Sequence, residues 1–266
     1  MPTVNSGGVD IAYSDSGGSG LPIILLHAWP LNSDMWAPQI DALAGRFRFI
    51  AVDFRGFGSS GAPDDRGAYS METLAGDAEA ALDAAGVEHA VVCGLSMGGY
   101  VAFALLRRDA GRVAAVVLAD TRAGADTPER IEQRTAQQQQ VESEGIEGLV
   151  DTLVTGPLVS DTTRDRKPDV VARVRALTRN PAAGYIGGLE ALKTRPDSTP
   201  QLTAISVPTL IVVGEEDSLA PPEIARSMHE DIGGSEMVVV PEAGHLSSLE
   251  SPDVFNGALA RFLGGL

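Results

Sequence analysis

Cysteine is almost missing from this sequence of 266 residues, which contains only Cys93. A single thiol cannot form an intramolecular disulfide or a cluster of thiolate metal ligands, so both are excluded. Basic residues are also scarce, with 20 Lys and Arg against 36 Asp and Glu and a net charge of −16. Because so acidic a surface repels phosphate backbones and anionic lipid, we expect neither nucleic acid nor a membrane as a partner.

Long hydrophobic runs are missing as well. The two longest, LPIILL at 21–26 and RVAAVVLA at 112–119, are far shorter than the roughly 20 residues that a membrane-spanning helix needs. The first ten residues contain neither a basic segment nor an apolar one. We therefore predict no signal peptide, and the expected location is the cytoplasm.

Short aliphatic runs alternate with amphipathic segments along most of the chain, and 44% of the residues are hydrophobic. The runs are continuous rather than alternating, which is typical of parallel strands covered on both faces. The pattern predicts a doubly wound α/β fold with a mostly parallel sheet. Strands are predicted at 9–13, 23–26, 47–52, 90–93, 113–118, 209–213 and 237–240. Helices are predicted at 33–44, 70–85, 97–108 and 252–263.

The segment 122–200 interrupts this alternation, because it contains no convincing strand. Helical patterns occupy 128–145, 167–178 and 182–194, and the glutamine run 137–140 is interpreted as an exposed helix face. So long a helical insertion is explained better as a cap over the carboxyl edge of the sheet than as a crossover. The predicted organisation is a core formed by 1–121 and 201–266 and a helical cap formed by 122–200.

Residues 94–98 read GLSMG and match the pattern G-x-S-x-G around Ser96. An aliphatic strand precedes the motif and an amphipathic helix follows it, which is the strand–turn–helix context of a nucleophile elbow. The flanking glycines leave room for the sharp turn, and the free N–H groups of the helix terminus can stabilise an oxyanion. Ser96 is therefore the candidate nucleophile.

His245 is the candidate base, because it follows the strand predicted at 237–240 and loops at the carboxyl ends of strands hold the active site in such sheets. The histidine needs a carboxylate on its other ring nitrogen. Asp217, just after the strand predicted at 209–213, is the preferred acid, and Glu215, Glu216 and Asp120 are its competitors. The order serine, aspartate, histidine is the one expected for this fold.

An oxyanion hole requires two backbone N–H groups. The residue after the nucleophile, Met97, supplies one, and the loop after an early strand supplies the other. Trp29 is the candidate in that loop, since Pro30 has no N–H. His27 is interpreted as a structural residue that fixes the loop by hydrogen bonds.

Together these residues resemble the α/β-hydrolase superfamily over 1–121 and 205–266. DFRGFGS at 53–59 is similar to the family's D-x-R-G-x-G-x-S turn, and GHLSSLESP at 244–252 is shared too. The resemblance implies the α/β-hydrolase fold, with the cap after the sixth strand. It also implies Ser96, Asp217 and His245 as the triad and the N–H groups of Trp29 and Met97 as the oxyanion hole.

Within the superfamily, the chain is most similar to 3-oxoadipate enol-lactonases, small carboxylesterases and cofactor-free haloperoxidases or perhydrolases. LADTRA at 118–123 and the cap length favour this group, and Pro30 is frequent among its haloperoxidase-like members. Ala28 departs from the family, which usually has glycine there, and its methyl group is expected to crowd the oxyanion loop or to change its backbone angles. Serine rather than aspartate at position 96 argues against a dehalogenase.

The predicted activity is hydrolysis of small or medium esters or lactones through an acyl-enzyme, with no metal or organic cofactor. One alternative is a perhydrolase or haloperoxidase that uses hydrogen peroxide as the acyl acceptor. Another is a receptor that binds a small ligand on the same fold. Five cap residues are candidates for an apolar acyl pocket: Leu153, Leu158, Tyr185, Ile186 and Leu189.

Overall fold

Eight β-strands are present in the computed structural model, which describes residues 1–266. They are β1 (Thr3–Ser6), β2 (Val9–Asp15), β3 (Pro22–Leu26), β4 (Arg48–Val52), β5 (Ala90–Leu95), β6 (Val113–Ala119), β7 (Thr209–Gly214) and β8 (Glu236–Val240). One sheet contains them in the order β1-β2-β4-β3-β5-β6-β7-β8. β2 pairs antiparallel with β1 and with β4, whereas all other pairs are parallel. The predicted mostly parallel sheet is confirmed.

The central strands are buried because their apolar runs are covered on both faces. Every residue of β5 and of β7 is buried, as continuous aliphatic runs predict. The edge strand β1 was not predicted, since TVNS is short and half-exposed. It exists because Gly7 and Gly8 adopt positive φ angles of 57° and 87° and turn the chain back onto β2.

Eleven α-helices accompany the sheet. They are α1 (Ala37–Leu43), α2 (Met71–Ala84), α3 (Met97–Asp109), α4 (Pro128–Glu144), α5 (Glu147–Val154), α6 (Asp161–Arg166), α7 (Pro168–Leu177), α8 (Ala182–Thr194), α9 (Pro222–Asp231), α10 (Ser247–Glu250) and α11 (Pro252–Leu263). Short 3₁₀ turns lie at Ser33–Trp36, Arg66–Ala68, Ala110–Arg112 and Thr199–Ala204. None of the helices combines the length and the apolar character needed to cross a bilayer.

Local capping explains where two of these helices begin. The Ser70 hydroxyl accepts a hydrogen bond from the Thr73 N–H at 3.1 Å, so α2 starts directly after Ser70. Thr127 caps α4 through the Arg130 N–H at 3.4 Å, and Pro128 occupies the first helical position, where no N–H is needed.

The helices α4 to α8 all lie between β6 and β7, after the sixth strand, as predicted for the cap. The helices α5 and α6 were not predicted. The interpretation of the glutamine run as exposed is wrong for Gln138, which is 1% exposed. Its amide donates to the Ile186 carbonyl at 2.9 Å and accepts from Lys193 Nζ at 2.9 Å, and these bonds join α4 to α8.

Candidate active site

Ser96 lies at the sharp turn between β5 and α3. Its backbone is strained, with φ 54° and ψ −109°, and its N–H donates to the Ala119 carbonyl at 2.9 Å. The turn requires glycine on both sides. A methyl group at Gly98 would come within 2.1 Å of the Leu26 carbonyl oxygen, and one at Gly94 within 2.2 Å of the Gly98 carbonyl oxygen. The GLSMG motif therefore places the Ser96 hydroxyl at the turn between β5 and α3, where only glycine fits on either side.

Ser96, His245 and Asp217 form one line of hydrogen bonds. The Ser96 Oγ lies 2.8 Å from His245 Nε2, and His245 Nδ1 lies 2.8 Å from Asp217 Oδ2. Because the Asp217 carboxylate can only accept a hydrogen bond, His245 Nδ1 carries the proton. His245 Nε2 is then free to accept the proton of the Ser96 hydroxyl. The structure thus brings together the three residues that the sequence singled out, although they are far apart along the chain.

Asp217 is held in its ionised form. Burial opposes ionisation, but the charge and hydrogen bond of His245 and the N–H groups of Leu219 and Ala220 outweigh it, so the pKa of Asp217 lies below its ordinary value. Those two N–H groups donate to Asp217 Oδ1 at 2.8 and 3.0 Å. An ionised carboxylate at this place orients the His245 ring and can stabilise its imidazolium.

The three competing carboxylates contact other groups. Asp120 accepts hydrogen bonds from Gly214 and Ser247, and none from His245. Glu216 accepts from the Thr162 hydroxyl at 2.6 Å. Glu215 accepts from the Glu242 N–H at 3.4 Å. Of the four carboxylates, Asp217 alone is hydrogen-bonded to the histidine.

The backbone N–H of Trp29 has no hydrogen-bond acceptor in the protein, although neighbouring backbone groups of the same loop are hydrogen-bonded. Met97 begins α3, so its backbone N–H belongs to the first turn, where N–H groups have no intrahelical acceptor.

Ala28 adopts a backbone conformation without a positive φ angle. Its carbonyl accepts from the Leu31 N–H and from His27 Nδ1, both at 2.9 Å. The methyl group that replaces the family's glycine is therefore accommodated without backbone strain.

His27 fixes this loop, as its structural interpretation predicts. The Phe54 N–H donates to His27 Nε2 at 3.1 Å, so the ring is neutral with its proton on Nδ1. Burial lowers the pKa of His27 to about 4, against smaller opposing effects of the Ala28 carbonyl and the Asp53 charge. His27 is thus a neutral hydrogen-bonding bridge between two loops.

A cavity of about 100 Å³ opens above Ser96 and His245. Of the five predicted pocket residues, Leu153 and Leu158 line it. The other three, Tyr185, Ile186 and Leu189, do not line it, contrary to the prediction. Tyr185 and Leu189 are fully buried, Tyr185 donating to the Thr178 carbonyl at 2.6 Å, and Ile186 packs against the core. The remaining apolar wall comes from Trp29, Tyr100, Pro157, Leu192 and Leu219.

Sequence reasoning missed the polar wall of the cavity, which is one face of α4. Arg130, Gln133, Arg134 and Gln137 all line it. Their spacing of i, i+3, i+4 and i+7 is the signal that could have found them, since it puts four side chains on the same side of a helix. No group of three or more His, Cys, Asp or Glu side chains is arranged to hold a metal ion.

The profile of the alpha/beta hydrolase fold family matches residues 22–252, nearly the whole chain. The chain belongs to the α/β-hydrolase fold family. A thermophilic esterase from Thermogutta terrifontis has a similar structure, with a TM-score of 0.94 and 35% identity over 99% of this chain and 98% of that one. This confirms the family resemblance and the fold that the motifs predict.

Two relatives of this α/β hydrolase represent the groups that the sequence suggested. 3-oxoadipate enol-lactonase 1 from Acinetobacter baylyi is 30% identical, over 94% of this chain and 92% of the relative. A non-heme haloperoxidase from Rhodococcus erythropolis is 33% identical, over 99% of each chain. The family thus includes relatives named as an enol-lactonase and as a haloperoxidase.

Proposed function

We propose that this α/β hydrolase cleaves carboxylic esters or lactones of small to medium size through an acyl-enzyme. One observation carries the proposal: the hydrogen bonds from Ser96 Oγ to His245 Nε2 and from His245 Nδ1 to Asp217 Oδ2, both at 2.8 Å. Nucleophile and base are within proton-transfer distance, and the base is oriented by a third group. The esterase and enol-lactonase names among the relatives support the same reaction class.

In the first half-reaction, the Ser96 oxygen attacks the ester carbonyl carbon and its proton passes to His245 Nε2. The negative charge moves to the carbonyl oxygen, where the N–H groups of Trp29 and Met97 donate to it, each lowering the barrier by about 3 kcal/mol. The bond to the alkoxide then breaks, and His245 gives it the proton. In a lactone the alcohol remains attached to the acyl group, so the ring opens.

In the second half-reaction, water replaces the alcohol. His245 takes a proton from the water as its oxygen attacks the acyl carbon, and returns that proton to the Ser96 oxygen as the acid leaves. Asp217 stabilises the imidazolium in both halves and does not itself take the proton. No step requires a group that the chain lacks.

The helical segment 122–200 acts in this proposal as a cap over a core formed by 1–121 and 201–266. It contributes Leu153 and Leu158 to the cavity above Ser96. A cavity of about 100 Å³ favours an acyl group of a few carbons over a long chain. The substrate is accordingly a small ester or lactone in solution.

Hydrogen peroxide is a second candidate for the acyl acceptor. The haloperoxidase relative at 33% identity favours it, together with Pro30 beside the proposed oxyanion donor. Peroxide would attack the same acyl-enzyme and release a peracid, which oxidises bromide. A bromination assay with acetate and peroxide separates the two, because bromination must then depend on both acetate and Ser96.

A burst experiment with p-nitrophenyl acetate tests the proposal. The wild-type protein should release one equivalent of p-nitrophenol rapidly, and Ser96→Ala should lose turnover by about 10³-fold or more. A fluorophosphonate should label Ser96 in the wild type and not in His245→Ala, which keeps the serine but removes its base. Full turnover in a correctly folded Ser96→Ala protein would overturn the proposal.

A further inference from the structure

The cavity above Ser96 has a charge opposite to that of the protein. The chain has 36 acidic and 20 basic residues, yet no carboxylate lines the cavity, whereas Arg130 and Arg134 do. Both arginines lie on the inner face of α4, with Gln133 and Gln137 beside them. An acidic protein that presents only guanidinium and amide groups on one wall of its cavity creates a local site for an anion.

The two arginines are not equivalent. Arg134 forms an ion pair with Asp126, whose side chain is fully buried, and Asp126 also pairs with Arg195 at 2.7 Å. The single charge of Asp126 therefore offsets only one of the two guanidinium charges, so the three side chains together keep a net positive charge. Arg134 is held in place by its ion pair with Asp126, so its guanidinium is not fully available to bind a charged group of a substrate.

Arg130 has no such partner. Its guanidinium forms no ion pair and no hydrogen bond within the protein, whereas its backbone N–H donates to the Thr127 hydroxyl at 3.4 Å. The residue is half-buried, so part of its side chain is already removed from water. The side-chain amides of Gln133 and Gln137 also line the cavity and have no hydrogen-bond partner in the protein. One cation and two amides thus face the cavity with their donors free.

A fourth arginine adds to the positive excess. Arg122 donates to the carbonyl of Leu219, a residue of the cavity wall. Its pKa is lowered by burial and by the neighbouring charges of Arg130 and Arg195, against the opposing effects of Tyr100 and Asp126. A substrate anion at Arg130 would relieve this repulsion among like charges.

We propose that the substrate carries a carboxylate in addition to the ester or lactone that Ser96 attacks, and that Arg130 binds this carboxylate. The inference rests on the proposed hydrolase function and names its substrate class. A guanidinium binds a carboxylate through two parallel N–H···O bonds, and Gln133 and Gln137 supply further donors. Of the two arginines that line the cavity, Arg130 alone has no ion-pair partner, and its planar guanidinium fits one carboxylate.

Two measurements, each made on wild type and on Arg130→Gln, test this proposal. The first compares kcat/KM for monomethyl succinate, which is anionic, with that for dimethyl succinate, which is neutral and nearly the same size. Wild type should prefer the anion, and Arg130→Gln should reduce this preference, the ratio of the two kcat/KM values, by about 10- to 100-fold. The second measures competitive inhibition of p-nitrophenyl acetate hydrolysis by succinate, whose inhibition constant should rise by the same factor.

Arg226→Gln is the matched control. Arg226 is exposed on α9 and does not line the cavity, so this variant changes the net charge equally and should leave both measurements unchanged. Equal effects of Arg130→Gln and Arg226→Gln would overturn the proposal, because a long-range charge effect would then suffice. Inhibition by inorganic phosphate as strong as that by succinate would also overturn the choice of a carboxylate.

The design separates this proposal from the proposed hydrolase function. If neutral esters are cleaved and fluorophosphonate labels Ser96, but the anion is not preferred, the carboxylate proposal alone fails. If neither ester is cleaved and Ser96 is not labelled, the hydrolase function itself fails. Arg130→Lys gives a further check, since a retained charge without the planar fork should restore part of the preference.

Discussion

Asp120 accepts two hydrogen bonds from Ser247, one from its hydroxyl at 2.5 Å and one from its backbone N–H at 3.1 Å. The other oxygen of the Asp120 carboxylate accepts from the Gly214 N–H at 2.8 Å. Gly214 ends the strand that leads to Asp217, and Ser247 follows His245 by two residues. Asp120 therefore connects the loop of the proposed acid to the loop of the proposed base without a hydrogen bond to the histidine.

Replacement of Asp120 by asparagine should misplace both loops. The NH₂ group of the new side chain cannot accept, so either Gly214 or Ser247 keeps an unpaired buried N–H, and we expect a loss of about 1–3 kcal/mol in the free energy of unfolding. We also expect kcat to fall by about tenfold or more with little change in KM, because the change misaligns Asp217 and His245 and leaves the walls formed by α4 and the cap leucines in place. Ester kinetics and urea unfolding measure the two effects.

Ser247→Ala is the control for this variant, since it removes only the hydroxyl donor. Its effects should be smaller in both measurements. If Asp120→Asn lost stability but kept full kcat at a temperature where it is folded, Asp120 would be a structural residue only.

The sequence predicted the residues around Ser96 well because their signals are local. Each of Ser96, Asp217 and His245 follows an aliphatic strand closely, and parallel strands bring their carboxyl ends to one edge of the sheet. The structure brings these three together through hydrogen bonds that their spacing along the chain could only suggest.

The cap residues were predicted poorly because their orientation depends on contacts that are distant in sequence. Tyr185 and Leu189 belong to α8, which is apolar on several sides, so its composition does not indicate which side faces the cavity. Gln138 looked solvent-exposed by residue type, yet it is buried because Lys193 and Ile186 satisfy its amide. The packing of α8 against α4 determines both which side of α8 faces the cavity and whether Gln138 is buried.

Gly188→Ala should disturb the oxyanion loop from the cap side. A methyl group there would lie 2.5 Å from Trp29 Cδ1 and 3.0 Å from Phe57 Cζ, so the indole must move. We expect a loss of about 1–3 kcal/mol from overpacking, together with a lower kcat, because Trp29 is the proposed oxyanion donor. Thermal unfolding and ester kinetics report the two effects.

Gly187→Ala is a matched control one residue earlier on the same helix. Its methyl group would lie 2.4 Å from the Tyr69 ring, which supplies its three nearest atoms, so the clash does not involve Trp29. This variant should be destabilised while its kcat stays close to wild type. An equal loss of kcat in both variants would contradict the specific role of Trp29.

The buried His27 should make stability depend on pH in mildly acidic solution. Burial lowers the pKa of His27 to about 4 in the folded protein, whereas an unfolded histidine has a pKa of about 6.5. Between these values the unfolded chain binds the extra proton, so folding stability is complete above about pH 6.5 and falls by up to about 3 kcal/mol as the pH drops to about 4.

His27→Gln removes the titrating group and should flatten this part of the stability curve. Urea unfolding at a series of pH values between about 6.5 and about 4.5 measures the slope in both proteins. The carboxylates titrate in both, so the difference between the two slopes belongs to position 27. Parallel curves for wild type and variant would show that His27 does not cause the loss.

Two arginine–aspartate pairs offer a test of how burial changes the value of an ion pair. Arg55 donates to both oxygens of Asp77 at 2.5 and 2.8 Å, and Arg48 donates to both oxygens of Asp15 at 2.6 and 3.0 Å. The geometry is alike, but the first pair is 4% and 0% exposed and the second 21% and 25%.

Asp77→Asn leaves the Arg55 charge buried without a counter-charge, so it should cost about 3–5 kcal/mol in the free energy of unfolding. Asp15→Asn leaves Arg48 partly in water and should cost less than about 1 kcal/mol. Urea unfolding at neutral pH compares the two. Both variants should retain esterase activity when folded, because neither pair touches Ser96 or its cavity. Equal losses of stability would mean that water reaches the Arg55–Asp77 pair as readily as it reaches Arg48 and Asp15.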